Sequence, residues 1–191
     1  MPCYCAYPVK ALALGLMATA LLGCSLSQPA PESSAGGAAA PPASVPAPLA
    51  QQGLLQTAQV TIGGVAITMD EAEIRRVLGE PTAVVDEESG CCGLLRRLEY
   101  PTLTTSLIKG DDSDPDFIYA LRTDSLGVSA AGVSVGDRSE AVLSTFGPPA
   151  EDIVEADQRS LVYVVEIDAD RLVFELVDDT VTSIGYYSLL N

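Results

Sequence analysis

"IRRVLGEP", Ile74 to Pro81, returns later in the chain as "VLSTFGPP", Val142 to Pro149, and Gly64–Pro81 aligns with Gly132–Pro149 without a gap. Gly64/Gly132, Val65/Val133, Gly79/Gly147 and Pro81/Pro149 are identical, while Ile67/Val135, Ile74/Val142 and Leu78/Phe146 stay apolar. Ile74, Val77 and Leu78, like Val142 and Phe146, recur at three and four residues, which predicts one apolar helix face in each copy. Gly79 and Gly147 suit a left-handed position after the last turn, and the proline two residues on forbids continuation. Thr68-x-x-Glu71 and Asp137-x-x-Glu140 have capping-box spacing and predict the helix starts. Helices of about ten residues do not survive alone in water, so each is expected to lie on a sheet.

The strands follow each helix. After the first come "TAVV", "LLRRLEY", "TLTTSLI" and "DFIYALRT"; after the second come "EDIVE", "SLVYVVEI", "RLVFELV" and "VTSIGYYS". These β-branched and aromatic runs, broken by "KGDDSDP", "DAD" and "DD", read as hairpins. The expected fold is α+β: two tandem helix-plus-antiparallel-meander repeats of about 65 residues, 58–126 and 127–191, sharing one core.

What precedes them reads as an address. Lys10 supplies a positive n-region, and Ala11–Leu22 is an apolar run of about 12 residues, the length of a signal h-region and too short to cross a bilayer. It ends in Leu21-Leu22-Gly23-Cys24, which resembles the bacterial lipobox. The resemblance implies a signal peptide over residues 1–23, removed in the mature chain, and a diacylglyceryl group on Cys24. Two acyl chains bury enough CH₂ groups, at ~0.8 kcal/mol each, for stable anchoring to the bacterial cell membrane. Residues 24–57 then read as the lipidated cysteine and a Pro/Ala-rich tether, too poor in bulky apolar side chains to form a core.

Composition narrows the function. The 191-residue chain has 26 Asp and Glu against 10 Lys and Arg, and no His. An anionic surface repels phosphate backbones, so no nucleic-acid partner is expected. Without His there is no Ser-His-Asp, Cys-His or His-ligated metal site. Two carboxylates would suffice for a glycoside hydrolase, but no spacing supports one. No enzyme activity and no cofactor are expected.

Three features are candidates for chemistry. With Cys3 and Cys5 in the signal and Cys24 lipidated, Cys91 and Cys92 are the remaining thiols, and outside the cytoplasm they are expected to oxidise. Their vicinal disulfide would be either a rigid turn or a strained, reducible redox element. Asp111, Asp112, Asp114 and Asp116 crowd one hairpin; an EF-hand starting at Asp112 would need Gly at Phe117 and Glu at Thr123, so the segment reads as a solvated acidic tip or a weak Ca²⁺ site. The third candidate is the sheet face away from the helices. It can be polar in the first repeat, through Arg97, Glu99, Thr104 and Ser106. In the second, Val162 and Val164 alternate with Leu161, Tyr163 and Val165, which predicts either internal packing or an apolar partner-binding patch rimmed by Arg122, Tyr163, Tyr186 and Tyr187.

The twice-used helix and Gly-x-Pro stop, each followed by a meander, resembles the BamE/β-lactamase-inhibitor-protein-like fold, and in particular the uncharacterised lipoproteins of Gram-positive gut bacteria with that fold. That resemblance spans Val60–Asn191 and implies a protein-binding or assembly module whose sheet face meets its partners. The chain departs from the pattern in its Cys pair and its longer first hairpin loop. Together these features lead to a membrane-anchored extracytoplasmic lipoprotein that binds another envelope or secreted protein. The alternative is a lipoprotein that binds a small ligand or divalent metal through the acidic hairpin and the Cys loop.

Overall fold

The computed structural model describes residues 47–89, 93–110, 115–166 and 170–189. The signal segment, Cys24, the tether up to residue 46, Cys91, Cys92, Asp111, Asp112 and Asp114 lie outside the described residues.

Up to Thr123 the chain contains β1 (Leu54–Leu55), β2 (Thr61–Ile62), β3 (Val65–Ala66), α1 (Glu71–Leu78), β4 (Ala83–Ser89), β5 (Gly93–Glu99), β6 (Thr104–Ile108) and β7 (Phe117–Thr123). After it come β8 (Ser129–Ala130), β9 (Val133–Ser134), α2 (Ser139–Phe146), β10 (Glu151–Glu155), β11 (Gln158–Val165), β12 (Arg171–Val177) and β13 (Thr180–Tyr187). The result is an α+β fold, mainly sheet with two helices. No helix among the described residues is long and apolar enough to cross a membrane.

Both helices stop as their sequences require. Gly79 and Gly147 share φ 82° and ψ −163°, a backbone region that side chains disfavour, and their N–H groups bond the carbonyls of Arg75 and Leu143. The starts differ from expectation. In α1 the capping box is Asp70 with Glu73: the Asp70 carboxylate accepts from the Glu73 N–H at 2.8 Å, and Glu73 accepts from the Asp70 N–H at 3.3 Å. Thr68 and Glu71 therefore do not form it. In α2 the residue before the helix, Arg138, makes no side-chain cap. Asp137 instead accepts from the Ser134 N–H at 2.8 Å, closing the preceding turn. The anionic partner at this helix start comes from the β12–β13 hairpin: Asp179 accepts from the Ser139 hydroxyl and, at 2.9 Å, from Arg138. Asp178 and Asp179 both have positive φ, as a tight two-residue hairpin demands. Val77 is 45% exposed, so the apolar face of α1 narrows to Ile74 and the half-buried Leu78.

The strands form a nine-stranded sheet in the order β1-β11-β12-β13-β7-β6-β5-β4, with β10 also on β11. β7 and β13 pair antiparallel, Leu121 opposite Tyr186 and Arg122 opposite Gly185. The two-residue strands β3-β2-β8-β9 make a separate four-stranded sheet. Side chains alternate along a strand, so the register puts Leu98, Thr105, Leu121, Tyr186, Leu172 and Tyr163 on one side, all of them buried. That side packs with Ile74 of α1, Val142 and Phe146 of α2, and Val60, Ile62, Val65, Val133 and Val135 in one buried cluster. At its centre the Phe146, Tyr163 and Phe174 rings lie 5.1 to 6.1 Å apart. The Tyr163 hydroxyl donates to the Gly147 carbonyl at 2.8 Å, and burial pushes its pKa up to about 12.

The folded part begins earlier than residue 58. The Leu49 and Ala50 N–H groups bond the Thr145 and Phe146 carbonyls at 2.9 and 3.0 Å, satisfying acceptors that the end of α2 leaves free. Leu54 and Leu55 run parallel to Val164 and Val165, and Leu55 is fully buried. Composition hid this strap, because two leucines at the end of a Pro/Ala-rich run carry no periodicity.

An ion network ties α1 to the sheet. The Glu71 carboxylate, 12% exposed, meets Arg75 at 2.8 Å, Lys109 at 3.0 Å and Arg96 at 3.2 Å. Burial works to raise its pKa, but hydrogen bonds from Lys109, Arg75 and Arg96 outweigh it and hold the group below the ordinary carboxylate value. Asp86, Asp152 and Asp179 are lowered too, by hydrogen bonds from Arg96, Arg159 and Ser139 respectively. A depressed carboxylate stabilises fully above its unfolded pKa, about 4, and loses that contribution as pH falls through its folded value. The unfolding midpoint should therefore be flat from pH ~7 to ~5 and fall below ~4. Glu71→Gln should cost about 1–2 kcal/mol at neutral pH, and thermal scans across the range should show the gap to wild type closing in acid.

Candidate functional site: the open face of the sheet

Alternation that sends Leu98, Leu121 and Tyr163 inward sends their neighbours out. Across the sheet one outward row runs Glu99, Thr104, Arg122, Gly185, Val173, Val162 and Glu151. The next runs Val85, Arg97, Ser106, Ala120, Tyr187, Arg171 and Val164, with Leu54 beyond. None of these residues belongs to the buried cluster.

The floor is made of small or short residues. Ser106, Ala120, Val162 and Ser183 are all under 9% exposed, shielded by longer side chains around them. Gly185 is required here: a Cβ on it would stand 2.7 Å from the Tyr187 ring, which lies back across it. In the half built from β10 to β13 the face is apolar, with Val164, Val173 and Tyr187 half-buried and Leu54 and Ile153 49% and 39% exposed. Arginines border it. Arg122 donates to the Ser183 hydroxyl at 3.1 Å and to Glu175 at 3.2 Å, and Arg171 pairs with Glu151 at 3.0 Å. Arg97 in the other half holds Glu99 at 3.2 Å and Glu87 at 3.4 Å. Such exposed pairs contribute only ~0.2–1 kcal/mol each, so an incoming group can replace a partner at little cost.

Of the rim named from sequence, Arg122 and Tyr187 are here, brought together across the β7–β13 pair. Tyr163 and Tyr186 are not. Both lie on the opposite side, 0% and 4% exposed, inside the core. Strand period two forces this: Tyr186 and Tyr187 are adjacent and cannot share a face. Tyr186 donates its hydroxyl to Asp170, a buried carboxylate that also accepts from the Leu189 N–H at 2.9 Å. Asp170 carries no signal in the sequence, because an aspartate in a "DAD" turn reads as solvated.

The other candidates gain little. Asp116, the described member of the acidic hairpin, is occupied by Lys109 and by the Gly110 N–H at 3.2 Å. Among the described residues no group of three or more His, Cys, Asp or Glu could hold a metal ion. A cavity of about 200 Å³ beside the strap, lined by Leu49, Gln51, Leu55, Gln59 and Glu166, falls below the ~300–1,000 Å³ of typical small-molecule sites.

No family model and no curated protein matches the chain. Two solved structures overlap it in part. One is an extracellular protein containing a SCP domain from Bacillus anthracis str. Ames, 10% identical, with a TM-score of 0.40 over 64% of this chain; the match spans 44% of that protein's length. The other is a DUF4309 family protein (YjgB) from Bacillus subtilis subsp. subtilis str. 168, 17% identical, with a TM-score of 0.37 over 62% of this chain and 78% of that one. Overlaps this partial carry nothing from those proteins to this one.

Proposed function

We propose that the chain is a lipid-anchored, extracytoplasmic, non-enzymatic domain that binds another envelope or secreted protein through the open face of its sheet. The carrying observation is the apolar half-face of Leu54, Ile153, Val164, Val173 and Tyr187, bordered by Arg122 and Arg171 and outside the core cluster. Protein-binding surfaces combine such an apolar centre with aromatic and arginine side chains. The acidic balance argues against nucleic acid, and the reading needs no cofactor.

The same proposal includes a duplicated architecture, two helix-plus-meander repeats over one core, in the manner of BamE/β-lactamase-inhibitor-protein-like modules. It is supported by the identical Gly79 and Gly147 conformations, by a run of antiparallel strands after each helix, and by the edge-to-edge pairing of the last strands, β7 and β13. Cys24 is the proposed lipid site, on its sequence context.

A photo-crosslinking residue at Val173 or Tyr187 should, in intact source cells, yield one discrete protein adduct. The same residue at Leu126, 82% exposed in the loop after β7, should not. Equal adducts from both positions, or none from the face, would reject the binding surface. Separately, fatty-acid labelling should appear on the wild type and vanish in Cys24→Ala.

A further inference from the structure

We infer that the free edge of β10 is a docking site for an extended, cationic β-strand of a partner protein. This edge borders the open face, to which it contributes Glu151 and Ile153, but the inference rests on its unpaired backbone and stands without that reading.

Among the described residues β10 pairs only with β11, so its other side presents unpaired backbone N–H and C=O groups to solvent. Such an edge is a template for strand addition unless the fold blunts it. No proline interrupts Glu151–Glu155, and all five residues are exposed. Ile153 and Val154 are 39% and 67% exposed. Being adjacent, they point to opposite faces, and an added strand would give each a second cross-strand neighbour, opposite Ser160 and Arg159 of β11.

Charge selects the partner. The segment 150–158, "AEDIVEADQ", holds Glu151, Asp152, Glu155 and Asp157 and no Lys or Arg. Arg171 and Arg159 already meet Glu151 and Asp152 from the β11–β12 side, at 3.0 and 2.7 Å, in exposed pairs that an incoming lysine can share, while no ion pair among the described residues compensates Glu155 or Asp157. Pairing with another β10, or with β4 and its Asp86, Glu87 and Glu88, sets carboxylate against carboxylate, which is destabilising in cross-strand positions. With a formal net charge of −16 on each copy, the edge is closed to self-association and attracts a basic strand. Its reach is bounded as well, since β1 occupies the rest of the same β11 edge at Val164 and Val165. Read antiparallel against Glu155 to Glu151, the complement is Lys-Val-Val-Lys-Lys.

The test titrates isotope-labelled full chain with an acetylated Lys-Val-Val-Lys-Lys peptide, followed by amide NMR. Saturating shifts are expected at residues 151–155 and along β11. Binding should weaken by about tenfold when NaCl rises from about 50 to about 300 mM. Val154→Lys with Glu155→Lys, both at exposed positions, should also weaken it by about tenfold while leaving the rest of the spectrum unchanged. Shifts centred elsewhere, equal binding by Glu-Val-Val-Glu-Glu, no loss in the double variant, or no shift at millimolar peptide would each overturn the inference.

Discussion

Phe174→Ala should lower the unfolding free energy by about 3–5 kcal/mol, a large share of the ~5–15 kcal/mol that keeps a domain folded. The ring is fully buried and stands 5.1 Å from Phe146 of α2 and 6.1 Å from Tyr163 of β11, edge-on to the latter. Removing it leaves a void that the sheet cannot close. Phe174 lies in register opposite Leu161 on one side and Ile184 on the other, within two antiparallel ladders, so neither strand can move inward without breaking its ladder. The void also undercuts α2, which contacts the sheet through Phe146 and Val142. Phe117→Ala is the matched control: the same side chain, 41% exposed on the open face, should cost well under ~1 kcal/mol. Urea unfolding of both variants, with the slope unchanged and only the midpoint moved, separates the two outcomes. A Phe174→Ala loss no larger than that of Phe117→Ala would mean that the aromatic trio does not hold helix to sheet.

What could be read from the chain follows how local its cause is. The longer strands were legible because runs such as "RLVFELV" and "SLVYVVEI" combine β-branched and aromatic residues with turn signals on both sides. The Gly-x-Pro stops were legible because Gly79 and Gly147 are needed for a backbone angle and the prolines forbid continuation. The helix starts were harder. Asp70–Glu73 and Thr68–Glu71 have the same spacing, and only the position of Ile74 on the sheet decides between them. The anionic partner of α2, Asp179, lies 40 residues from Ser139 and leaves no local trace. The open face was half legible. Arg122 sits in a strand whose inward residues are clear, whereas the end of β13 and all of β11 read as apolar on both sides, so Tyr186 and Tyr163 could be placed inward only through the row that runs from Tyr163 to Leu172 to Tyr186. Strands β2, β3, β8 and β9 are two residues long and show no period at all.

The strap ahead of residue 58 should prove as necessary as the core. A chain that starts at residue 58 loses β1 and with it the fully buried Leu55, and it leaves the Thr145 and Phe146 carbonyls and the Val164 and Glu166 N–H groups without the partners they have at 2.8 to 3.0 Å. The lost leucine costs about 2–5 kcal/mol and each lost hydrogen bond about 0.5–1.5, which together approach the stability of the whole domain. Such a chain is expected to be largely unfolded, while one that starts at Ala47 keeps the cooperative transition of the longer form. Gly53→Ala tests the same contact by a single atom. Gly53 has φ 80°, and a Cβ there would fall 2.2 Å from the Ala150 nitrogen and 2.5 Å from its Cα, so the backbone leading into β10 must move. Unlike a clash with a flexible side chain, this one cannot be relieved by a rotamer. The displaced segment carries the Ala150 N–H, which bonds the Val162 carbonyl at 2.8 Å, so the loss should spread into the β10–β11 ladder. Hydrogen exchange would read it directly: faster exchange at residues 150–155 and 164–166 in Gly53→Ala, with β4–β7 unchanged, is the pattern of a strap that clamps one edge of the sheet. Uniform acceleration across both halves would mean instead that the strap supports the domain as a single cooperative unit.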